Sequence, residues 1–166
     1  MAQFVYRLRL LLEQKEELKK EAERELALRQ KELEAQREHL EVLQRREQEL
    51  VEKRDRMRRE LLNKSGEQDA LTAHEVRERA EFVKVMGVQI EEAKNDVLVQ
   101  RTVIETCEVK VQQAKSLVEE AKREVEILTK HRAKQEERFM REERVKEELE
   151  LDEIGNVLFT TRRRPS

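Results

Sequence analysis

One thiol and three imidazoles are where nucleophilic or metal chemistry would have to begin in this chain. Cys107 is its single cysteine, and its histidines are His39, His74 and His131. A catalytic thiol needs a neighbouring base or cation to become a thiolate. No histidine lies near Cys107, and the three histidines stand far apart from one another. No Cys/His cluster has zinc spacing, no HExxH occurs and no glycine-rich loop could cradle a phosphate. Paired carboxylates are abundant, but general acid–base work needs a carboxyl group taken out of water. Here the carboxylates alternate with lysines and arginines on helix faces, where solvent leaves them ordinary. The sequence points away from an enzyme and asks for no cofactor and no metal. Its chemistry must be recognition between surfaces, so the question becomes which elements build them.

Val76–Leu128 answers first. Val83, Ile90, Val97, Ile104, Val111, Val118 and Val125 form one lane, and Met86, Ala93, Gln100, Cys107, Ala114, Ala121 and Leu128 a second. The steps between lanes alternate four and three. A period of 3.5 residues held this long specifies a helix of a left-handed coiled coil. Cys107 in that seam behaves as a small hydrophobe. The composition agrees: 45% of the 166 residues are charged, 3% are aromatic, and there are three glycines and one proline. Such values fit long helices, and the sustained seam excludes disorder. The expected class is all-α, a single domain over residues 1–166.

Charge excludes further functions. The formal net charge is −2, from 36 basic and 38 acidic residues with interleaved signs. No global basic field and no basic face attract nucleic acid; the arginines at 162–164 are a weak signal alone. No run of 18 apolar residues exists, so no membrane insertion is expected. Arg7 and Arg9 interrupt the apolar opening and no small-residue cleavage site follows, which argues against a secretory signal. A lone cysteine fits a reducing cytoplasm.

In chain order, a first helix is expected over about 4–63. Its apolar stripe runs Phe4, Leu8, Leu11, Leu18, Ala22, Leu26, Leu33, Leu40, then Leu43, Leu50, Met57 and Leu61. The step from Leu11 through Lys15, Leu18 and Ala22 to Leu26 inserts an eleven-residue spacing, which relaxes the supercoil. Asn63, Ser65 and Gly66 signal a stop, with Gly66 the expected C′ residue, and a loop over 64–71. Thr72-Ala73-His74-Glu75 is a capping box, flanked by Leu71 and Val76 at staple positions. The second helix is therefore expected over about 72–154, ending before Gly155, with a flexible tail over 155–166.

A loop this short makes the helices antiparallel neighbours. Folding about it sets Leu61 against Val76, Leu40 against Val97, Leu33 against Ile104, Leu26 against Val111 and Leu11 against Val125. Gln36 falls near Gln100, a buried polar match that would fix register. The first helix then runs out opposite about position 133. The second continues and overhangs by some twenty residues, about 30 Å at 1.5 Å per residue, with thinning apolar positions Phe139, Met140, Val145, Leu149 and Leu151.

The ends of the chain resemble the FliJ/YscO family. The opening Phe4-Val5-Tyr6-Arg7-Leu8-Arg9-Leu10-Leu11-Leu12-Glu13 has that family's aromatic, basic-hydrophobic start before a charged helix. Leu149-Glu150-Leu151-Asp152-Glu153-Ile154-Gly155-Asn156 is similar to the acidic finish of YscO-type members rather than flagellar ones. The resemblance implies a type III secretion stalk, cytoplasmic and at the inner-membrane base of the apparatus. Its partners would be the hexameric secretion ATPase, the export gate protein and, for some members, export chaperones. The ATPase end would comprise Phe4, Tyr6, Arg7, Leu10, Phe139, Met140 and Arg141. The export-gate end would surround the loop, with Val42, Phe82, Val85 and Val88 as apolar contacts off the seam.

The alternative is a homodimeric coiled-coil scaffold without an ATPase partner, since the second seam could pair with itself or swap between chains. Light scattering separates the two: a self-folded hairpin is a monomer of 20.0 kDa in isolation.

Overall fold

The computed structural model describes residues 3–64 and 71–162. Two helices pack against each other as an α-helical hairpin: α1, Arg9–Lys64, and α2, Ala73–Arg162. Neither contains proline, and α1 contains no glycine; Leu, Glu, Lys, Arg and Ala dominate both, the residues that lose least on entering a helix. The capping box forms as read. The Glu75 amide donates to the Thr72 hydroxyl at 3.3 Å, and the Thr72 amide donates back to the Glu75 carboxylate at 2.8 Å. Thr72 is thus the cap and α2 proper begins at Ala73. The expected loop and the Gly66 stop fall on residues 65–70, outside the described residues.

Contacts gather the chain into two compact units, Glu25–Lys115 and Met1–Arg24 with Ser116–Ser166. In the first, central unit, the expected seam is the core. Met86 and Ile90 are 2% and 1% exposed, and Ala93, Val97, Gln100, Ile104, Val111 and Ala114 are buried with them. Leu33, Ile104 and Val111 form one cluster, with Leu26, Leu40 and Cys107 packed on it. These are the leucine-to-β-branched partners that antiparallel folding requires. Each buried Leu, Ile or Val contributes about 1.5–3 kcal/mol of transfer free energy. Val76 is 41% exposed and does not belong to this core.

The polar match also forms. Gln100 Nε2 donates to the Gln36 side-chain oxygen at 2.8 Å and to the Gln36 carbonyl at 3.0 Å. Replacing Gln100 with Val exchanges this network for apolar burial, so the melting temperature should rise while register loosens. Cysteines introduced at Leu40 and Val97, in a Cys107→Ser background, read the register. Cross-linking of the native pair as complete as with Gln100 present would remove the role assigned to the glutamines.

In the second, terminal unit, the structure corrects three expectations. The first concerns the start of α1. A helix opening at Phe4 is not what forms: residues 3–6 are outside any helix, Arg7 and Leu8 form a turn, and α1 begins at Arg9. Tertiary contacts outweigh local propensity here. The buried Tyr6 side chain reaches α2, its hydroxyl donating to the Leu128 carbonyl at 3.2 Å and lying 2.9 Å from His131 Nδ1. Phe4 packs on Phe139. The residues ahead of α1 form a strap whose contacts run along α2 from Leu128 and His131 to Phe139. Covered by the strap as far as Phe139, α2 overhangs from there rather than from position 133.

The second correction is the facing stripe of α1. Leu12, 6% exposed, is the buried leucine, while Leu8, Leu11 and Leu18 are 39%, 39% and 48% exposed. Lys15, Lys19 and Ala22 are half-buried on the inner side, and the Lys15 ammonium meets Glu124 at 2.6 Å. Lysine stems cover apolar surface while their heads reach water, which lets two lysines occupy seam positions.

The third is the end of α2. The helix passes through Gly155 to Arg162, where a tail was expected from 155. Among the described residues no glycine has positive φ, so Gly155 is an interior helical residue and not a left-handed cap. It disfavours the helix by about 1 kcal/mol relative to alanine, which one residue among so many helix formers does not convert into a stop. The Thr160 and Thr161 hydroxyls donate to the Asn156 and Val157 carbonyls four residues back, keeping their polar atoms within the helix.

Candidate partner-binding surfaces

The groups with reactive potential stay apart, as their spacing requires. Cys107 is half-buried in the central cluster. The His74 ring faces Glu78 at 3.3 Å on an open helix surface. Among the described residues no group of three His, Cys, Asp or Glu could hold a metal ion. The carboxylates with displaced pKa values move the ordinary way. A hydrogen bond from Lys20 holds Glu17 below its usual range, and Lys130 does the same to Glu126. Neither is raised toward neutrality as a general acid would be. No helix of the described residues is long and apolar enough to cross a membrane.

The terminal unit assembles part of the expected ATPase-facing set around one cleft. Phe4, Val5, Tyr6, Arg7 and Leu8 line it from the strap, and His131, Gln135, Arg138, Phe139 and Glu142 from α2. The Phe4 and Phe139 rings lie 5.7 Å apart at 49°, and those of Tyr6 and His131 5.7 Å apart at 52°, both tilted arrangements that aromatic quadrupoles favour. Tyr6, at 7% exposure, is an anchor of the strap rather than a free contact. Its one proton goes to the Leu128 carbonyl, so its oxygen accepts from His131 Nδ1–H. Leu10 stands outside the cleft at 74% exposure. Met140, 52% exposed, and Arg141, ion-paired with Glu137, do not line it either.

His131, Gln135, Arg138 and Glu142 are cleft residues that the sequence reading missed, although a signal existed. The lane ending at Leu128 continues in steps of seven to Gln135 and Glu142, and the lane ending at Val125 continues through Arg132 to Phe139. The seam does not end where its aliphatic residues end; it changes to polar and aromatic ones.

Beyond the cleft, α2 carries Val145, Leu149, Leu151, Ile154, Val157 and Leu158, each more than half exposed. Ile154, Val157 and Leu158 line a shallow apolar groove with Glu150 and Glu153. Glu147, Glu148, Glu150, Asp152 and Glu153 make this stretch acidic.

The expected gate-facing residues lie in the central unit. Phe82, Val85 and Val88 on α2 are 41%, 52% and 61% exposed, and Val42 on α1 is 56% exposed. Lys53 sits with its ammonium 5.6 Å from the Phe82 ring centroid, a cation–π contact that ties the two helices at this level. Val85 and Val88 are three residues apart and share a face of α2. Val42 lies eleven residues before Lys53, about 16 Å along α1, so the four do not form one patch. Arg79, near them in sequence, has a buried Nη1 with no hydrogen-bond partner among the described residues, a second group the sequence reading missed. Leaving such a donor unpaired costs about 1–3 kcal/mol.

The fold has a counterpart of known structure. A structure described as that of a candidate YscO homolog from Chlamydia trachomatis matches with a TM-score of 0.80 and 20% identity, covering 99% of this chain and 100% of that one. At that identity the likeness concerns the fold alone. No curated protein matches the chain. The family comparison rests on sequence instead: the model of the YscO-like protein family matches residues 3–165, the aromatic-basic opening and the acidic finish included. With nearly the whole chain matched and its hairpin shared, the protein belongs to the YscO-like family and is thereby a type III secretion-related protein.

Proposed function

We propose that this protein links the hexameric ATPase of a type III secretion apparatus to the export gate and promotes protein export from the cytoplasmic side, at the inner-membrane base. The terminal unit faces the ATPase, and the surface around Phe82, Val85 and Val88 faces the gate. Export chaperones are a further class of partner under this reading. One observation carries it. Past Glu142, α2 continues to Arg162 with its large apolar side chains more than half exposed, a run that soluble surfaces rarely leave open unless a partner covers it. An isolated helix of this length is marginal in water, so a surrounding partner also has a structural effect to exert on it. The acidic flank supplies weak, exchangeable contacts of the kind a moving interface requires.

Mixing the full chain with the secretion ATPase of the same organism should raise hexamer formation and ATP turnover. Removing residues 1–12 or 144–166 should abolish the rise. Turnover and assembly that ignore both the full chain and its truncations would overturn the reading.

A further inference from the structure

We propose that the cleft between the strap and α2 is a binding site for an acidic peptide segment carrying an aromatic side chain. The inference rests on the reading of this end as the one that meets a partner, and adds the chemistry of what enters. The cleft encloses about 630 Å³, open to solvent, within the range of sites that hold a peptide side chain and its neighbours. Of the four phenylalanines and one tyrosine in the chain, Phe4, Tyr6 and Phe139 line it. The tyrosine hydroxyl is already engaged with Leu128 and His131, so what Phe4, Tyr6 and Phe139 offer is chiefly ring faces and edges, which prefer another aromatic ring.

The rim sets the charge. Arg7 and Arg138 are exposed, and among the described residues neither forms an ion pair. Three nearby cations are paired within their own helices: Arg9 with Glu13, Lys130 with Glu126 and Arg141 with Glu137. Glu142 is the one carboxylate lining the cleft, against two guanidinium groups. A guanidinium fork matches a carboxylate in geometry and charge. An uncharged segment would cover the arginines without pairing them, and a basic one would be repelled. An aromatic residue flanked by carboxylates satisfies both walls and rim.

The probe is an end-blocked heptapeptide with a central phenylalanine flanked on both sides by aspartates, titrated into the full chain. The readout is emission from Tyr6, the only tyrosine in a chain without tryptophan. Saturable binding is expected, weakened about tenfold by Arg138→Glu or by Arg7→Glu. A lysine-flanked version of the peptide should bind the Arg7→Glu/Arg138→Glu variant better than the natural chain. The proposal is overturned if Tyr6 emission does not saturate, or if an all-aspartate peptide binds as well. It is equally overturned if both charge reversals leave affinity unchanged while circular dichroism shows intact helices. ATPase turnover, measured on the same variants, separates this outcome from the broader reading. Peptide binding without any ATPase response leaves the cleft standing and removes the ATPase assignment; an ATPase response without peptide binding does the reverse.

Discussion

Replacing Ile90 with alanine should lower the unfolding free energy by about 2–5 kcal/mol, the range for removing a large aliphatic side chain from a packed interior. Ile90 is the most completely buried of the core residues, at 1% exposure, and Met86 one turn away is at 2%. In a two-helix core the cavity has few neighbours able to close it. Alanine returns part of the loss, a few tenths of a kcal/mol, through its better helix propensity. Val85→Ala is the matched control. Val85 is on the same helix and 52% exposed, so its replacement should stay within about 0.5 kcal/mol. Urea unfolding followed by circular dichroism measures both, and equal losses at the two sites would contradict the assigned core.

The second large effect is expected at Tyr6. Tyr6→Ala removes a buried ring together with the hydroxyl that bonds Leu128 and His131. Truncations of buried aromatics cost about 3–5 kcal/mol. The strap is short and terminal, and local opening free energies at chain ends are small. A loss of this size should therefore detach the strap altogether rather than destabilise the whole chain. Amide hydrogen exchange reads this directly. The Arg9 amide, bonded to the Tyr6 carbonyl at 3.2 Å, should lose its protection, while amides around Val97 and Ile104 keep theirs. Tyr6→Phe keeps the ring and removes only the hydroxyl, so its effect should be about 0.5–1.5 kcal/mol. If the alanine and phenylalanine variants exchange alike, the ring is not what holds the strap.

The contrast between these two sites also explains which features the sequence made legible. Ile90 was readable because its environment is periodic. Every member of both seam lanes, from Val83 to Leu128, is buried or half-buried, and local spacing alone identifies them. Thr72 was readable because a capping box lies within four residues. Tyr6 was not, since its partners are 122 and 125 residues away and nothing local distinguishes Phe4–Leu12 from another turn of α1. The same blindness hid the cleft, whose two walls come from opposite ends of the chain. Leu12 displaced Leu11 from the core for a related reason. An eleven-residue spacing leaves two adjacent positions almost equally inward, and long-range packing chooses between them. Gly155 misled in the opposite direction, because a residue able to end a helix does so only when a left-handed cap forms.

The hydrogen-bonded glutamines bear on how the hairpin reaches its register. Heptad seams are nearly self-similar, so α1 displaced by seven residues would still bury leucines against β-branched residues. One such displacement sets Leu43, in place of Gln36, opposite Gln100. The amide would then lose both oxygens it now donates to, at about 1–3 kcal/mol. A hairpin slipped in this way should therefore be less stable than the native one even with its leucines buried. The pair thus separates the native alignment in free energy from near-correct ones that hydrophobic burial alone would accept.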